Sequence, residues 1–518
     1  MGQEIGENIQ EPREFMNKLN NLQLQMEKKE KKENYELKYK GFDIAINIGQ
    51  EYFAYKDIIE LNKKSDNAKK ASNELKVLKK WMKMVKIHDN KKKSFFKKKV
   101  VEPHNDDDIN CDNFTNNMVT LRLYEYFFKY TKKFKKKLFK GPTESFRWLS
   151  WSIINQMALV SSDKVYKHYL AKDLDKENED QIKKDNERTI MYQGKGKYYQ
   201  DKLKDGVFNV IKAFWSLDRI SGHCQGMNIV IGFMLILLDG NEVEAFYMLI
   251  SLLSDTNIKR KEGEYSLRGL YCQEFPLLKL LVYIFDCKFQ ETYPQLKAKI
   301  DETGITYDSW ILSWFQTLFT IILPINMCKR VWDCIFAEDI FFMVKFGLAF
   351  ISFIKDDIMK INDEQKVVDY FNNLKKSSMN IFDEINGKKF KIEEIIAKAS
   401  KMKKIDPQSY IQSYKNTVEE EEYNEFLKLL EKTKNIVYKY EVNDKKEDEK
   451  KLNERKTLWL QQAETVEENE NDDDEKEEEE DIKEDDKDEP NEGKNEIIIN
   501  ENEINTSSNL NKINNNEG

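Results

Sequence analysis

From Pro142 to about Asp357 apolar residues recur every three or four positions, and no stretch of useful length alternates apolar with polar at every second position. Val207, Val210, Ile211, Phe214 and Leu217 show the pattern, falling on one stripe of a helix. A period of two is what lets a strand bury one face, so its absence leaves packed helices as the way to form a core here. Local punctuation agrees. Pro276 can open a helix, because its missing N–H has no intrahelical partner at that position. Gly240-Asn241 marks a turn, and Asp308 or Ser309 can cap a helix that runs to Leu323 and is stopped by Pro324. The expected fold class is all-α and multi-helical.

Composition matters mainly through its distribution. Charged residues make up 34% of the chain and hydrophobic ones 40%, but the charge is concentrated in lysine-rich stretches before about residue 140 and an acidic tail after about 445. Four regions follow: a Lys-rich N-terminal region, 1–120, partly disordered with short helices; a helical domain, 121–356; a helical extension, 357–442, that either covers the domain or projects as an arm; and an acidic disordered tail, 443–518. Leu78, Trp81, Met82 and Val85 lie at helical spacing among lysines, so that helix either packs its stripe on the next domain or lies on an anionic membrane or in a partner's groove. Leu123, Tyr126, Phe127 and Tyr130 share one face, followed by the basic run 132–137. The acidic run 464–489 cannot bury enough apolar surface to fold. It serves as a solubilising tail or folds back on the lysines as an autoinhibitory arm.

Several function classes are disfavoured. The six cysteines form no C-x-x-C pair and four histidines are scattered without metal-ligand spacing, so reduced, packed thiols are expected and neither a disulfide framework nor a metal site. The net charge of -8 sums unlike segments and so predicts neither nucleic-acid binding nor its absence; no nucleic-acid partner is expected. The first residues lack the apolar stretch of a secretory signal, and Gly6 stands where a myristoylation signal needs Ser or Thr. The apolar runs 229–238, 311–325 and 340–354 are too short to span a bilayer and are expected as core helices, a membrane hairpin being the alternative.

Chemistry concentrates in two strings: Ile182-x-x-Asp185-x-x-Arg188-Thr189, and Gly222-His223-Cys224-Gln225-Gly226-Met227-Asn228. Arg188 carries a charge that neutrality cannot remove, in a planar fork suited to phosphate oxygens. The Gln225 amide can donate to and accept from one water at once. Gly222 and Gly226 let the backbone turn sharply around Gln225, and Met227 and Asn228 then start an apolar helix. No G-x-x-x-x-G-K-[ST] loop occurs, so the chain is expected to bind no nucleotide itself.

These strings, with Gly141-Pro142, Arg147, Trp148-x-x-Trp151, Tyr169-Leu170, Phe275-Pro276, Pro324, Arg330-x-Trp332-Asp333 and Leu348-Ala349, appear in an order that resembles the TBC domain. That domain is the catalytic module of GTPase-activating proteins acting on Rab-type small GTPases. The resemblance implies an all-α TBC fold over 121–356, with Arg188 as an arginine finger and Gln225 as a glutamine finger, both supplied in trans. Asp185 would orient Arg188; Thr189, Gly222, His223, Gly226 and Asn228 would support the two fingers. Arg147, Trp148, Arg330, Trp332 and Asp333 would be structural, with Arg147 pairing either a carboxylate at the substrate face or a structural partner. His223 stands where the family usually has Tyr, and Ile190-Met191 where it has Phe-Pro, a change that loosens the loop beyond the arginine.

The resemblance further implies a Rab-type GTPase as partner, with GTP and Mg belonging to that partner and no cofactor of the chain's own. A cytoplasmic location is expected, with peripheral contact to anionic endomembranes through the lysines. The alternatives are a non-catalytic GTPase-binding scaffold on the same fold and a peripheral membrane or cytoskeletal protein built on the Lys-rich helices.

Overall fold

The computed structural model describes residues 44–61, 65–85, 116–155, 163–187, 197–218, 224–253, 265–307, 310–377, 384–385 and 387–433. All belong to one of two compact units, Met1–Lys450; the second, Lys451–Gly518, lies outside the described residues, as do the acidic run and residues 1–43. Among the described residues there are nineteen α-helices and one two-stranded hairpin, and no helix is long and apolar enough to cross a membrane.

Four helices precede and support the central bundle: α1 (Ile44–Leu61), α2 (Asp66–Met84), α3 (Asn116–Lys129) and α4 (Thr131–Lys140). Ser65 caps α2, its Oγ accepting the Ala68 N–H at 3.2 Å. The α2 stripe of Leu75, Leu78, Trp81 and Met82 is buried, and the Trp81 ring meets Phe134 of α4 and Phe146 of the next helix, both at 5.7 Å. This apolar stripe therefore packs onto the neighbouring helices. On α4 only Phe134 and Leu138 are buried, which leaves its lysines on the outer side.

The bundle opens with α5 (Glu144–Ile154), and its start is capped from α1. Both Glu51 carboxylate oxygens accept from this turn: the Glu144 N–H at 3.3 Å, the Ser145 N–H at 3.2 Å, and the Ser145 hydroxyl. An anion at a helix start satisfies unpaired N–H groups and complements the dipole. There follow α6 (Asp163–Leu170), α7 (Lys176–Glu187), α8 (Lys197–Leu217), α9 (Met227–Leu237), α10 (Glu242–Leu253) and a 3-10 turn, Leu267–Leu270. The series continues with α11 (Pro276–Thr292), α12 (Pro294–Glu302), α13 (Ile311–Gln316), α14 (Ile325–Ala337) and α15 (Phe342–Met359). Trp332 of α14 lies at the centre, its ring 4.8 Å from Phe233 and 5.3 Å from Trp151.

One helix differs from the sequence expectation. Instead of running to Leu323, α13 ends at Gln316, and Leu318 and Phe319 adopt φ of 50° and 65°. A tertiary contact holds the break, the Leu318 carbonyl accepting from the Trp332 indole N–H at 3.1 Å, while within the segment the Phe319 N–H reaches back to the Trp314 carbonyl at 2.7 Å. The expected caps, Asp308 and Ser309, lie outside the described residues.

Beyond α15 come α16 (Glu364–Leu374), a 3-10 turn (Lys375–Ser377), strands β1 (Glu384–Ile385) and β2 (Lys388–Lys389), α17 (Ile392–Ser400), α18 (Pro407–Tyr414) and α19 (Glu420–Lys432). The hairpin pairs Glu384 with Lys389 and Ile385 with Lys388. This extension covers the bundle. Tyr414 of α18 packs on Tyr283 of α11 at 5.0 Å, and Ser266 Oγ donates to the Thr433 carbonyl at 3.1 Å.

Candidate functional site

The two chemical strings meet through one side chain. The first occupies the last turns of α7, where Ile182, Asp185 and Asn186 are buried on an otherwise polar helix. Asn186 Nδ2 donates to the Lys204 carbonyl of α8 at 2.7 Å, joining the end of α7 to that helix. The Asp185 carboxylate accepts from Gln181 Nε2 at 3.1 Å, one turn earlier. Its backbone carbonyl accepts from Asn228 Nδ2, also at 3.1 Å. Arg188, Thr189, Ile190 and Met191 follow directly and lie outside the described residues, as do Gly222 and His223.

The second string forms a turn and then α9. Gly226 has φ +103°, a left-handed conformation that side chains disfavour, and it is the N-cap of α9. Its N–H donates to Asn228 Oδ1 at 3.1 Å, while the Met227 N–H donates to the Cys224 carbonyl at 3.1 Å. Cys224, Gly226, Met227 and Asn228 are buried and Gln225 alone in this turn is exposed. The expected placement of Gln225 just before an apolar helix is what the structure has.

Behind the turn lie residues that sequence reasoning missed. Because α13 stops early, Gln316 and Thr317 pack against Gly226: a Cβ there would stand 3.4 Å from Thr317 Cγ2 and 3.5 Å from Gln316 Cγ. Gln316 Nε2 donates to Cys224 Sγ at 3.1 Å, and the Gln316 carbonyl accepts from Tyr271 Oη at 2.7 Å. Burial pushes the Cys224 thiol up to about 12 and Cys272 to about 11, so both are neutral packing groups. Glu274 and Phe275 both adopt left-handed backbone at the start of α11. Asp218, at the end of α8, is gripped by both Arg268 guanidinium nitrogens, one pair at 3.2 Å, with both side chains buried. Arg268 carries no local signal of this, since its partner is fifty residues away.

The residues expected to be structural form a second cluster. Asp333 is 0% exposed and accepts from Trp151 Nε1 at 2.8 Å, Arg330 NH1 at 3.0 Å and Arg147 Nε at 3.3 Å. Arg147 also donates to Glu144 and to the Pro142 carbonyl at 2.9 Å, so its partners are internal. Arg330 donates from Nε to Glu393 Oε1 at 2.7 Å and from NH2 to the Phe139 carbonyl at 3.2 Å, tying α17 and the end of α4 to α14. Burial pushes the Asp333 carboxyl up against the pull of Arg147 and Arg330; burial alone would lower both arginines, but the Asp333 charge beside them holds each above its usual value. Gly141, at φ +95°, admits the Arg330 guanidinium where a Cβ would stand 3.0 Å from it. Trp148 is buried, with Nε1 3.5 Å from Glu244 Oε2, and Trp332 fills the core. Among the described residues no cluster of His, Cys, Asp and Glu could hold a metal ion.

Residues 144–359 match the family described as the Rab-GTPase-TBC domain. Relatives include Rab GTPase-activating protein eat-17 of Caenorhabditis elegans, 28% identical over 238 residues, covering 45% of this chain and 24% of that protein. The Ecotropic viral integration site 5 protein homolog of Homo sapiens is 27% identical over 236 residues, covering 46% of this chain and 28% of its own length. The matched region thus spans about a quarter of these relatives. Similar solved structures are the Chlamydomonas flagellar RabGAP TBC domain, at 18% identity and TM-score 0.39, covering 54% of this chain and 90% of that one. The Ypt/Rab-GAP domain of Gyp1p stands at 14% identity and TM-score 0.41, covering 55% and 93%. Through its residues 144–359, this chain is similar to the Rab-GTPase-TBC domain.

Proposed function

We propose that this chain accelerates GTP hydrolysis by a Rab-type small GTPase, with Arg188 and Gln225 as fingers supplied in trans. The observation that best supports the reading is the Asn228 amide, which joins the last turn of α7, three residues before Arg188, to the turn that exposes Gln225. A phosphoryl group in transfer spreads charge over its oxygens, and a fixed guanidinium offsets it. An exposed amide beside that charge orients the attacking water by donating to one neighbour and accepting from another. GTP and Mg belong to the partner, and the chain contributes neither. Exposed lysines on α2 (Lys69, Lys70, Lys83) and α4 (Lys132, Lys136) extend the proposal to salt-sensitive contact with anionic endomembranes, tested by flotation with and without phosphatidylserine.

The test is single-turnover GTP hydrolysis by a panel of Rab-type GTPases with the full chain. Acceleration of at least one member is expected, falling by about 10² or more in Arg188→Ala and strongly in Gln225→Ala. If the wild-type chain accelerates none, the proposal fails.

A further inference from the structure

Asn228 is 4% exposed and uses both ends of its amide on backbone groups of different elements. Oδ1 takes the N–H of Gly226, the residue after Gln225, and Nδ2 gives to the carbonyl of Asp185 in the last turn of α7, 43 positions earlier in the chain. Gly226 lies at the start of α9, and Asp185 lies in the last turn of α7. The amide therefore bridges a backbone donor at one helix start and a backbone acceptor in the last turn of another helix. A side chain that only capped α9 would need its oxygen alone, and aspartate or serine would serve equally well.

We infer that Asn228 is a positioning residue, setting the separation between the Gln225 turn and the end of α7 so that both strings address one phosphoryl group. This rests on the GTPase-activating reading and deepens it. Asn228 touches no reacting atom; it acts through backbone it holds in place. A helix end and a turn on separate elements can slide by fractions of an ångström, and a misplacement of about 1 Å at a reacting centre can cost about 10²-fold in rate. Other contacts among the described residues hold each side to a further element: Asn186 ties α7 to α8, and Gln316 and Thr317 back the Gln225 turn.

The two ends of the amide can be tested separately. Asn228→Asp keeps the size and the oxygen facing Gly226, but replaces the donor by an oxygen that repels the Asp185 carbonyl. Asn228→Ala removes both. Single-turnover hydrolysis, titrated with the full chain against the panel member it accelerates most, gives a maximal rate and a half-saturating concentration. Both variants are expected to lower the maximal rate by about tenfold or more, with half-saturation changed by less than about threefold. An aspartate variant within about twofold of wild type would overturn the inference, since the residue would then only cap its own turn. Equal losses in rate and half-saturation would also overturn it, by assigning Asn228 to partner binding. Hydrogen exchange of the Gly226 amide is read independently of activity. It should quicken by about tenfold or more in Asn228→Ala, and unchanged exchange would refute the tether even if no GTPase responds.

Discussion

Replacing Asp333 by alanine should cost more stability than any surface substitution, and its size follows from what surrounds the carboxylate. Asp333 is fully buried and receives the Trp151 indole and two guanidiniums, from Arg147 and Arg330. Removing it leaves two buried cations facing each other and an indole N–H without its acceptor. Breaking one side of a buried pair costs about 3–5 kcal/mol. Glu393 still holds Arg330, and Glu144 and the Pro142 carbonyl still hold Arg147, so the lower end applies, about 3 kcal/mol. For a domain of this size that corresponds to a fall in Tm of roughly 6–12 °C. Circular dichroism at 222 nm during heating measures it. Glu393→Gln is the control, because the Glu393 side chain is 63% exposed and a surface pair contributes about 0–1 kcal/mol. A fall below about 3 °C for Asp333→Ala, or one no larger than the control's, would refute the reasoning.

Three further outcomes are expected. Gly226→Ala, at φ +103° with Gln316 and Thr317 in contact, should displace Gln225 and lower stimulated hydrolysis by about tenfold or more while half-saturation holds, measured by the same single-turnover titration. Glu51→Ala should destabilise the domain by about 1–2 kcal/mol, seen in urea unfolding, because the start of α5 loses a charged cap. Cys224 and Cys272, with thiols near 12 and 11, should resist maleimide at pH 8 in the native chain and react on unfolding; the stability they lend is intact below about pH 8.5, where the unfolded thiols ionise, and is lost as pH rises toward 11–12.

The features legible in the sequence are those whose cause is local. Helical spacing marked α8, Pro276 marked the start of α11, and Gln225-Gly226 before Met227 marked the start of α9. Two local signals were present but unread: Asn386-Gly387, the dipeptide of a tight hairpin, and Asp406-Pro407, a cap followed by proline at N1 of α18. What sequence could not disclose depends on distant partners. The break in α13 is held by the Trp332 indole, the Asp218–Arg268 pair joins residues fifty apart, and the cap of α5 comes from Glu51, more than ninety positions earlier. The Asn228 bridge is of the same kind: its glycine partner is two residues away, but its aspartate partner lies on another helix.

The central claim, that Arg188 and Gln225 act in trans on one phosphoryl group, is met most directly by single-turnover GTP hydrolysis of a Rab-type panel with wild-type chain, Arg188→Ala, Gln225→Ala and the double variant. The account predicts acceleration by the wild type, losses of about 10² or more for Arg188→Ala, and a double variant little worse than the poorer single, as for groups that act as a unit. Wild-type acceleration that survives both substitutions would contradict it.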